Sequence, residues 1–457
     1  MRLVLTALAA AALSGAIVVP DRLPAVLNKQ QVPLSGPSPA DGETAPLPSD
    51  DDAAPAGFPA AKVESLVRLA ADRVAELVDS TLESVQDAVQ DAGHDQLSSG
   101  LSDALAGGRH GDKRPHRTIY ELIRGCKHTS RFAAAVDEHP DIVKLLNSSH
   151  ARHTLFVPTD EAFRRLPGHH GDGDGGGEHK VGKEFVEHVL RYHIGVGDYP
   201  AGRILHTHTL PTALDEESLG GEPQRLRTSI GLGGVELNFY SKVVAANIEA
   251  SNGIIHAVNH VLVPPFMVGR LLTLFPSRFS TLLLAYEKTD FVDFIHKVSL
   301  VGSTVFAPSN DAFGRLGARA NAFLFNTQTG HKYLRALLKY HVSPNATLYS
   351  DAYYDKTDGG SGAGGRGLRR EHYDLPTLLG DARVAVDKVK LGPFSVVRVN
   401  GFAHVAVRDA VAKNGVIQVL DQVLVPPCKH RKRSGADDKA GGEMEVEELK
   451  ERLAAYV

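Results

Sequence analysis

The sequence predicts an α+β fold arranged as two tandem copies of one domain. Three observations carry this. The stretch 251–265, SNGIIHAVNHVLVPP, returns as KNGVIQVLDQVLVPP at 413–427, 162 residues later. The block TLFVPTDEAF at 154–163 returns as TVFAPSNDAF at 304–313, an offset of 150. Tyr192-His193 returns as Tyr340-His341, an offset of 148. Three blocks in the same order at nearly constant spacing mark a duplication. In each copy helical periodicity comes first and period-two runs come last, with one short strand between, which is an α+β order. A chain of 457 residues also exceeds one ordinary domain.

The N-terminus reads as a signal peptide over 1–20. Arg2 supplies the positive start, 3–13 the apolar core, and Ser14 and Ala16 a small-residue cleavage site. The apolar stretch is short for a bilayer span, so cleavage is expected and no transmembrane span remains after it. Residues 21–116 read as disordered linker, rich in Pro, Ala, Asp and Ser, interrupted by an amphipathic helix at 60–91. That helix carries Val63, Leu66, Val67, Val74, Leu77, Val78, Leu82, Val85 and Val89 at three- and four-residue intervals. It either packs on the following domain or serves a partner or membrane surface. The segment holds seven acids against three bases, which disfavours anionic lipid.

The first repeat is placed at 117–266. Short helices are expected after Thr118, at 131–136 and at 141–146, the last with Pro140 in its first turn. Residues 154–157 form a short buried strand. Thr159 then caps a helix whose first turn holds Asp160 and Glu161, where the helix dipole favours acids. Residues 167–180 are a Gly-rich insertion. A helix over 183–194 ends in Tyr192-His193, and strands follow at 225–230, 235–240, 242–249 and 254–263. The last of these should leave a turn at Asn252-Gly253, since both residues tolerate positive φ. Ile255, Ala257, Val261 and Val263 fall on one parity and His256 and His260 on the other, which predicts a half-buried strand. Pro264-Pro265 ends it.

The second repeat, 277–428, retraces this order with helices at 279–286 and 291–298 and Ser309 as the matching cap. A second Gly-rich insertion at 357–370 accounts for most of the growth in offset. Residues 429–457 are a basic, charged tail. Lys432-Arg433 reads as a solvated basic run or a processing site, and Val446, Leu449, Leu453 and Val457 share one face of a short last helix. The only cysteines, Cys126 and Cys428, stand at opposite ends of the duplicated region, free or paired.

Composition excludes little but points away from nucleic acid: the net charge is only -4. No Gly-x-Ser-x-Gly, phosphate loop or His-Glu-x-x-His is present. His193 and His341 close amphipathic helices with no nucleophile at motif spacing. They read as structural histidines bonded to backbone rather than bases. The insertion residues His169, His170, Asp172, Asp174, Glu178 and His179 have metal-ligand types, but ordering so Gly-rich a loop around an ion costs much entropy. No metal and no cofactor is expected. Asn147-Ser148-Ser149 and Asn345-Ala346-Thr347 are glycosylation sequons in loops of a secretory chain.

The TLFVPTDEAF and TVFAPSNDAF blocks, the downstream Tyr-His and the Asn-Gly-x-Ile…Val-Leu-Val-Pro-Pro strands together resemble the fasciclin domain. The resemblance covers about two thirds of the chain and implies two tandem domains, each a β-sandwich-like wedge with a packed helical cluster. It also implies adhesion or matrix interaction rather than catalysis. In some animal members an Asp-Ile pair before the Asn-Gly turn takes part in integrin binding. The matching positions here are Asn247-Ile248 and Asp409-Ala410, so neither copy keeps both residues. The family's histidine after the turn is His256 in the first copy and Gln418 in the second.

The expectation is therefore a non-enzymatic adhesion or interaction protein of the secretory pathway, binding other proteins or cell-surface and matrix glycans. Two alternatives stand beside it. One is a luminal vacuolar protein acting in membrane traffic, since the layout resembles fungal fasciclin proteins. The other is a hydrolase using His193 or His256 with a neighbouring carboxylate. The destination is the vacuole lumen or the cell exterior and cell wall.

Overall fold

The computed structural model describes residues 116–149, 152–165, 183–231, 234–355, 369–391, 394–427 and 444–457. The signal-peptide, linker and 60–91 helix expectations fall outside these residues. So do Cys428, Arg433, the 167–180 insertion and nearly all of the 357–370 insertion.

Each repeat opens with helices. In the first these are α1 (Ile119–Gly125), α2 (Ser130–Asp137) and α3 (Pro140–Asn147). Pro140 begins α3 as the sequence predicts, and the structure adds a capping box of Thr118 and Glu121 at the start of α1. Strand β1 (His153–Pro158) is wholly buried. Helix α4 (Asp160–Arg164) follows, with the Thr159 hydroxyl accepting from the Ala162 amide. Helix α5 (Lys183–Tyr192) leads into β2 (Ile194–Val196), α6 (Ala201–Ile204) and β3 (Thr209–Glu216). Strands β4 (Glu222–Gly231), β5 (Gly234–Leu237), β6 (Ser241–Ala250) and β7 (Gly253–Val258) complete the domain. The seven strands close into a barrel, with β1 parallel to β7 and antiparallel to β2.

The sequence predicts that β7 is half-buried, and the structure corrects this: all six residues are buried. One parity, Ile255 and Ala257, joins Ile119, Ile142 and Leu155 under the helical layer. The other parity turns into the barrel, where Val258 packs with Phe156, Tyr192, Leu210 and Leu226 and His256 stacks on Phe156. A strand covered on one face by helices and on the other by its own barrel has no wet side.

The Asn-Gly turn also works differently from its prediction. Only Gly253 has positive φ (154°), and Asn252 does not. A Cβ on Gly253 would lie 1.9 Å from the His153 carbonyl oxygen, so the close β1–β7 approach requires glycine. Asn252 is a staple: its Oδ1 accepts from the Ile119 amide at 2.8 Å, and its Nδ2 donates to the Leu146 and Ser148 carbonyls. It ties the turn to α1 and α3.

The second repeat follows the first. Its helices are α7 (Val268–Thr273), α8 (Pro276–Lys288), α9 (Phe291–His296), α10 (Asn310–Leu316), α11 (Ala318–Asn326) and α12 (Gln328–Tyr340), with β8 (Ser303–Pro308) before α10. The short strands β9 (Val342–Pro344), β10 (Ala346–Leu348) and β11 (Tyr353–Asp355) come next. Then follow β12 (Arg369–Pro376), β13 (Arg383–Leu391), β14 (Phe394–Val399), β15 (Ala403–Ala412) and β16 (Gly415–Leu420). These form a seven-stranded sheet in the order β12-β13-β14-β15-β16-β8-β9, with β10 and β11 as a separate hairpin. Gly415 repeats the close approach of Gly253, its Cβ position lying 2.1 Å from the Ser303 carbonyl oxygen. Helix α13 (Val446–Leu453) closes the chain. Among the described residues no helix is long and apolar enough to cross a membrane.

Candidate functional site

The positions singled out by the sequence fall into two kinds of node, each present once in each domain. His193 is fully buried. Its Nδ1 lies 2.7 Å from the Val189 carbonyl, so it donates there, and its Nε2 accepts from the Leu262 amide at 2.9 Å. His341 repeats the arrangement with the Leu337 carbonyl at 2.8 Å and the Leu424 amide at 2.9 Å. Each histidine thus clips the exit segment of its domain to the end of the preceding helix. Accepting at Nε2 requires the neutral ring. Burial pushes both histidines down to about 4. Each preceding tyrosine is the second half of the clip. Tyr192 donates to the Arg225 carbonyl and accepts from Asn238 Nδ2; Tyr340 does the same with Arg383 and Asn400.

The pair 247/256 and its counterpart 409/418 make the other node. Asn247 and Asp409 both sit at a register shift before the turn, with φ of 60° and 59°. Asn and Asp tolerate this left-handed conformation better than most residues. The Asn247 amide donates to His256 Nδ1 at 3.4 Å, and His256 Nε2 donates to the Tyr199 carbonyl at 2.9 Å. The Asp409 amide donates to Gln418 Oε1 at 3.1 Å, and Gln418 Nε2 donates to the Leu348 carbonyl at 3.0 Å. Asn247 Oδ1 then accepts from the Ala201 amide at 2.7 Å, and Asp409 Oδ1 from the Ser350 amide at 2.8 Å. The two pairs do the same work with different atoms: they fasten the loop after the Tyr-His helix to the bulged strand. Burial lowers His256 below the usual histidine range.

Exposure decides what these residues can touch. Asn247 is exposed, whereas Ile248 is 4% and Asp409 1% exposed. Ile248 lies in the core beneath the helices, and Asp409 also accepts the Ser350 hydroxyl at 2.5 Å. Neither has surface to offer a partner. His193, His256 and His341 have both ring nitrogens committed to backbone and no face open to a substrate. Among the described residues, no group of three His, Cys, Asp or Glu side chains could hold a metal ion. Cys126 is free and buried. Asn147 and Asn345 are both exposed; Asn147 Oδ1 accepts from the Thr118 hydroxyl and Asn345 Oδ1 from the Val301 amide.

Sequence reasoning missed the contact between the domains. The hairpin loop between β10 and β11 carries Asp351. Its carboxylate accepts from the His208 and Thr209 amides, both at 2.8 Å, and from the Thr209 hydroxyl at 2.5 Å. Beside it Arg225 is 9% exposed and donates to Thr209 Oγ1, the Thr209 carbonyl and Tyr354 Oη. Burial works against the Arg225 charge; Asp351 and the tyrosine hydroxyls outweigh it and hold the guanidinium ionised. Tyr354 donates on to the Pro223 carbonyl, Gln224 Nε2 to the Ala412 carbonyl, and Arg227 Nε to the Arg408 carbonyl. Nothing in a single sequence distinguishes a buried Arg225 or Asp351 from a solvated one.

Comparison with known proteins agrees with this duplicated architecture. The fasciclin domain family model matches residues 127–264 and 277–426. Aurofusarin biosynthesis cluster protein S of Gibberella zeae is 30% identical over 337 residues, covering 69% of this chain and 79% of that protein. Transforming growth factor-beta-induced protein ig-h3 of Oryctolagus cuniculus is 30% identical over 154 residues, 33% of this chain and 20% of that protein. Among solved structures, a FAS1 domain pair from the insect cell adhesion molecule Fasciclin I is similar, with 18% identity and a TM-score of 0.31 over 65% of this chain and 96% of that one.

Proposed function

Because the chain belongs to the fasciclin domain family, we propose that it is a non-enzymatic interaction protein of the secretory pathway whose two domains present one fixed surface. Fasciclin domains occur in adhesion and extracellular proteins such as ig-h3 and stabilin-2. The observation that carries the reading is how the polar groups are used. The buried histidines and Asp409 are spent on backbone within each domain, and Asp351 and Arg225 are spent on the contact between domains. What remains for function is the outer surface, held in constant geometry. Its partners are other proteins or cell-surface and matrix glycans. N-glycans on the exposed Asn147 and Asn345 fit a chain that enters the secretory pathway.

Cross-linking of the mature protein at its native location tests this. A partner recovered with the full chain and lost on deleting 117–428 supports the reading; recovery unchanged by that deletion overturns it. An internally tagged protein, imaged in cells, decides between the cell exterior or wall and a vacuole lumen with a role in membrane traffic. The hydrolase reading requires His193 or His256 to reach a substrate. His193→Gln should then abolish an activity without loss of stability, and the opposite result is expected.

A second reading has one observation in its favour: a relative spanning most of the chain is an aurofusarin biosynthesis cluster protein. On this reading the fixed surface serves as an accessory to biosynthetic enzymes. Cross-linking that recovers such enzymes rather than matrix components would select it.

A further inference from the structure

Helix α12 carries cations where its counterpart in the first domain carries acids. Tyr192 and Tyr340 align α5 with α12, so Glu184, Glu187 and Arg191 match Lys332, Arg335 and Lys339. In α5 the charges close on themselves: Arg191 Nε donates to Glu187 Oε1 at 2.8 Å. In α12 an arginine stands in place of that acid, and the helix, QTGHKYLRALLKY, holds no Asp or Glu. Lys332, Arg335 and Lys339 stand at i, i+3 and i+7, so they form one stripe about 10 Å long. Like charges at these spacings repel.

Phe294 of α9 holds the stripe in place. The Arg335 guanidinium lies 5.3 Å and Lys339 Nζ 4.7 Å from the centre of the same ring. Both side chains are half-buried, and Lys332 is exposed. The ring orders two cations without neutralising either. Among the described residues no carboxylate forms an ion pair with any of the three. Asp293, next to Phe294, is exposed. Glu447 and Glu448 of the neighbouring α13 pair with Lys450 and Arg452 of their own helix. The charge difference extends to the whole domains: residues 277–428 hold 18 Lys and Arg against 13 Asp and Glu, and residues 117–266 hold 15 against 18. The stripe therefore sits on the positive half of a chain whose other half is negative.

We propose that the α12 stripe binds an acidic glycan, a chain of sulfated or carboxylated sugars. This rests on the reading of the protein as a secretory interaction protein, and it assigns that reading one surface and one class of partner. The surface selects the chemistry. None of the large apolar side chains exposed among the described residues lies on α9 or α12, so the stripe lacks the apolar anchor on which a protein interface centres. The anionic leaflet of a membrane faces the cytoplasm. A polyanion needs only what the stripe has, which is cations already ordered against Phe294 and free of a competing carboxylate.

The test measures binding of the full chain to dextran sulfate and to polygalacturonate over a salt series, with neutral dextran as the blank. Saturable, salt-sensitive binding to at least one polyanion is expected. Two variants probe the stripe. Arg335→Glu installs the Glu-to-Lys i, i+4 pair of the first domain, so its unfolding midpoint should be no lower than that of the unaltered chain while its binding falls at least tenfold. Lys332→Gln, Arg335→Gln and Lys339→Gln together should lose binding at least as far. Arg124→Gln, Lys144→Gln and Arg164→Gln remove the same charge from exposed sites of the first domain and should bind as the unaltered chain does. The proposal is overturned if neither polyanion binds, or if phosphatidylserine vesicles bind and the polysaccharides do not. It is overturned if either α12 variant binds fully, or if the first-domain triple variant loses as much as the α12 triple, since bulk charge would then be the cause. Loss of the unfolding transition in both α12 variants overturns it as well, because the cations would then serve the fold. A partner recovered by cross-linking while neither polyanion binds removes this surface and leaves the interaction reading standing.

Discussion

The two domains solve one problem twice. At the bulge before the Asn-Gly turn the first uses Asn247 with His256, the second Asp409 with Gln418. The hydrogen-bond topology is conserved across the pair although all the side-chain chemistry changes. A difference between copies therefore does not by itself report a difference in what they bind. Here two residues vary together because each must complete the other. The copies diverge in burial: Asn247 faces solvent, while Asp409 is sealed under Ser350 and close enough to Arg227 of the first domain to offset part of the burial that pushes that guanidinium's pKa down. The second node is thus both an internal brace and part of the contact between domains.

The largest effects should come where neither copy has slack. Gly253→Ala or Gly415→Ala would drive a Cβ against the neighbouring strand's carbonyl, within 1.9 or 2.1 Å. Each should unfold its own domain, at a cost above about 3 kcal/mol. Calorimetry would show a missing transition, assigned by comparing the two variants.

The two nodes should then separate. Asp409→Ala strips the acceptor from the Ser350 amide, the Ser350 hydroxyl and Gln418 Nε2, all buried, and should cost about 3–4 kcal/mol. Asn247→Ala strips one acceptor from the exposed Ala201 amide and leaves alanine at positive φ, costing about 1–2 kcal/mol. Urea denaturation of the two variants measures the gap; equal losses would mean that burial does not distinguish the nodes.

Acid should also act on both domains, with more sites in the first. His193 and His341 are held near 4 against 6.5 when unfolded. A histidine lowered on folding adds stability that is complete above its unfolded value and is lost as pH falls from 6.5 through about 4. The loss is roughly 3 kcal/mol for each of these two. His256 adds to the first domain, while Gln418 adds nothing to the second. Unfolding midpoints measured between pH 7.5 and 4.5 should fall for both domains and further for the first.

The smallest effect is expected at Phe239, which holds φ of 71° where the second domain has Gly401 at 78°. Phe239→Gly relieves a strain of about 1 kcal/mol and loses the Arg227 guanidinium stacked 3.8 Å from the ring, worth about the same. Stability should move by less than about 1 kcal/mol in either direction. A larger loss would mean that the ring braces the Arg227 bond to the second domain.

Much of this architecture was legible in the sequence because the repeats fix it. The Thr159 and Ser309 caps, the buried β1 and β8, and the Tyr-His helix ends stand where periodicity and capping chemistry put them. Strand β3 was not legible. Its residues, TLPTALDE, carry a proline and two acids, and only closure of the barrel recruits them. The three-residue strands β9, β10 and β11 are too short to show a period. The polar parity of β7 looked wet because His256 is polar; its environment, not its type, makes it an interior residue. The same limit hid the node. Asn247 and His256 are nine residues apart in sequence, and only a bulge brings the amide of one to the ring of the other.

The account rests on these residues being interchangeable braces. Asn247→Asp combined with His256→Gln gives the first domain the second domain's pair, and its equilibrium unfolding at pH 7.5 and pH 5 tests that directly. The exchange should hold stability within about 1 kcal/mol at pH 7.5 and reduce the loss on going to pH 5, because one buried histidine is gone. A loss above about 3 kcal/mol at pH 7.5, or an unchanged pH dependence, would contradict it.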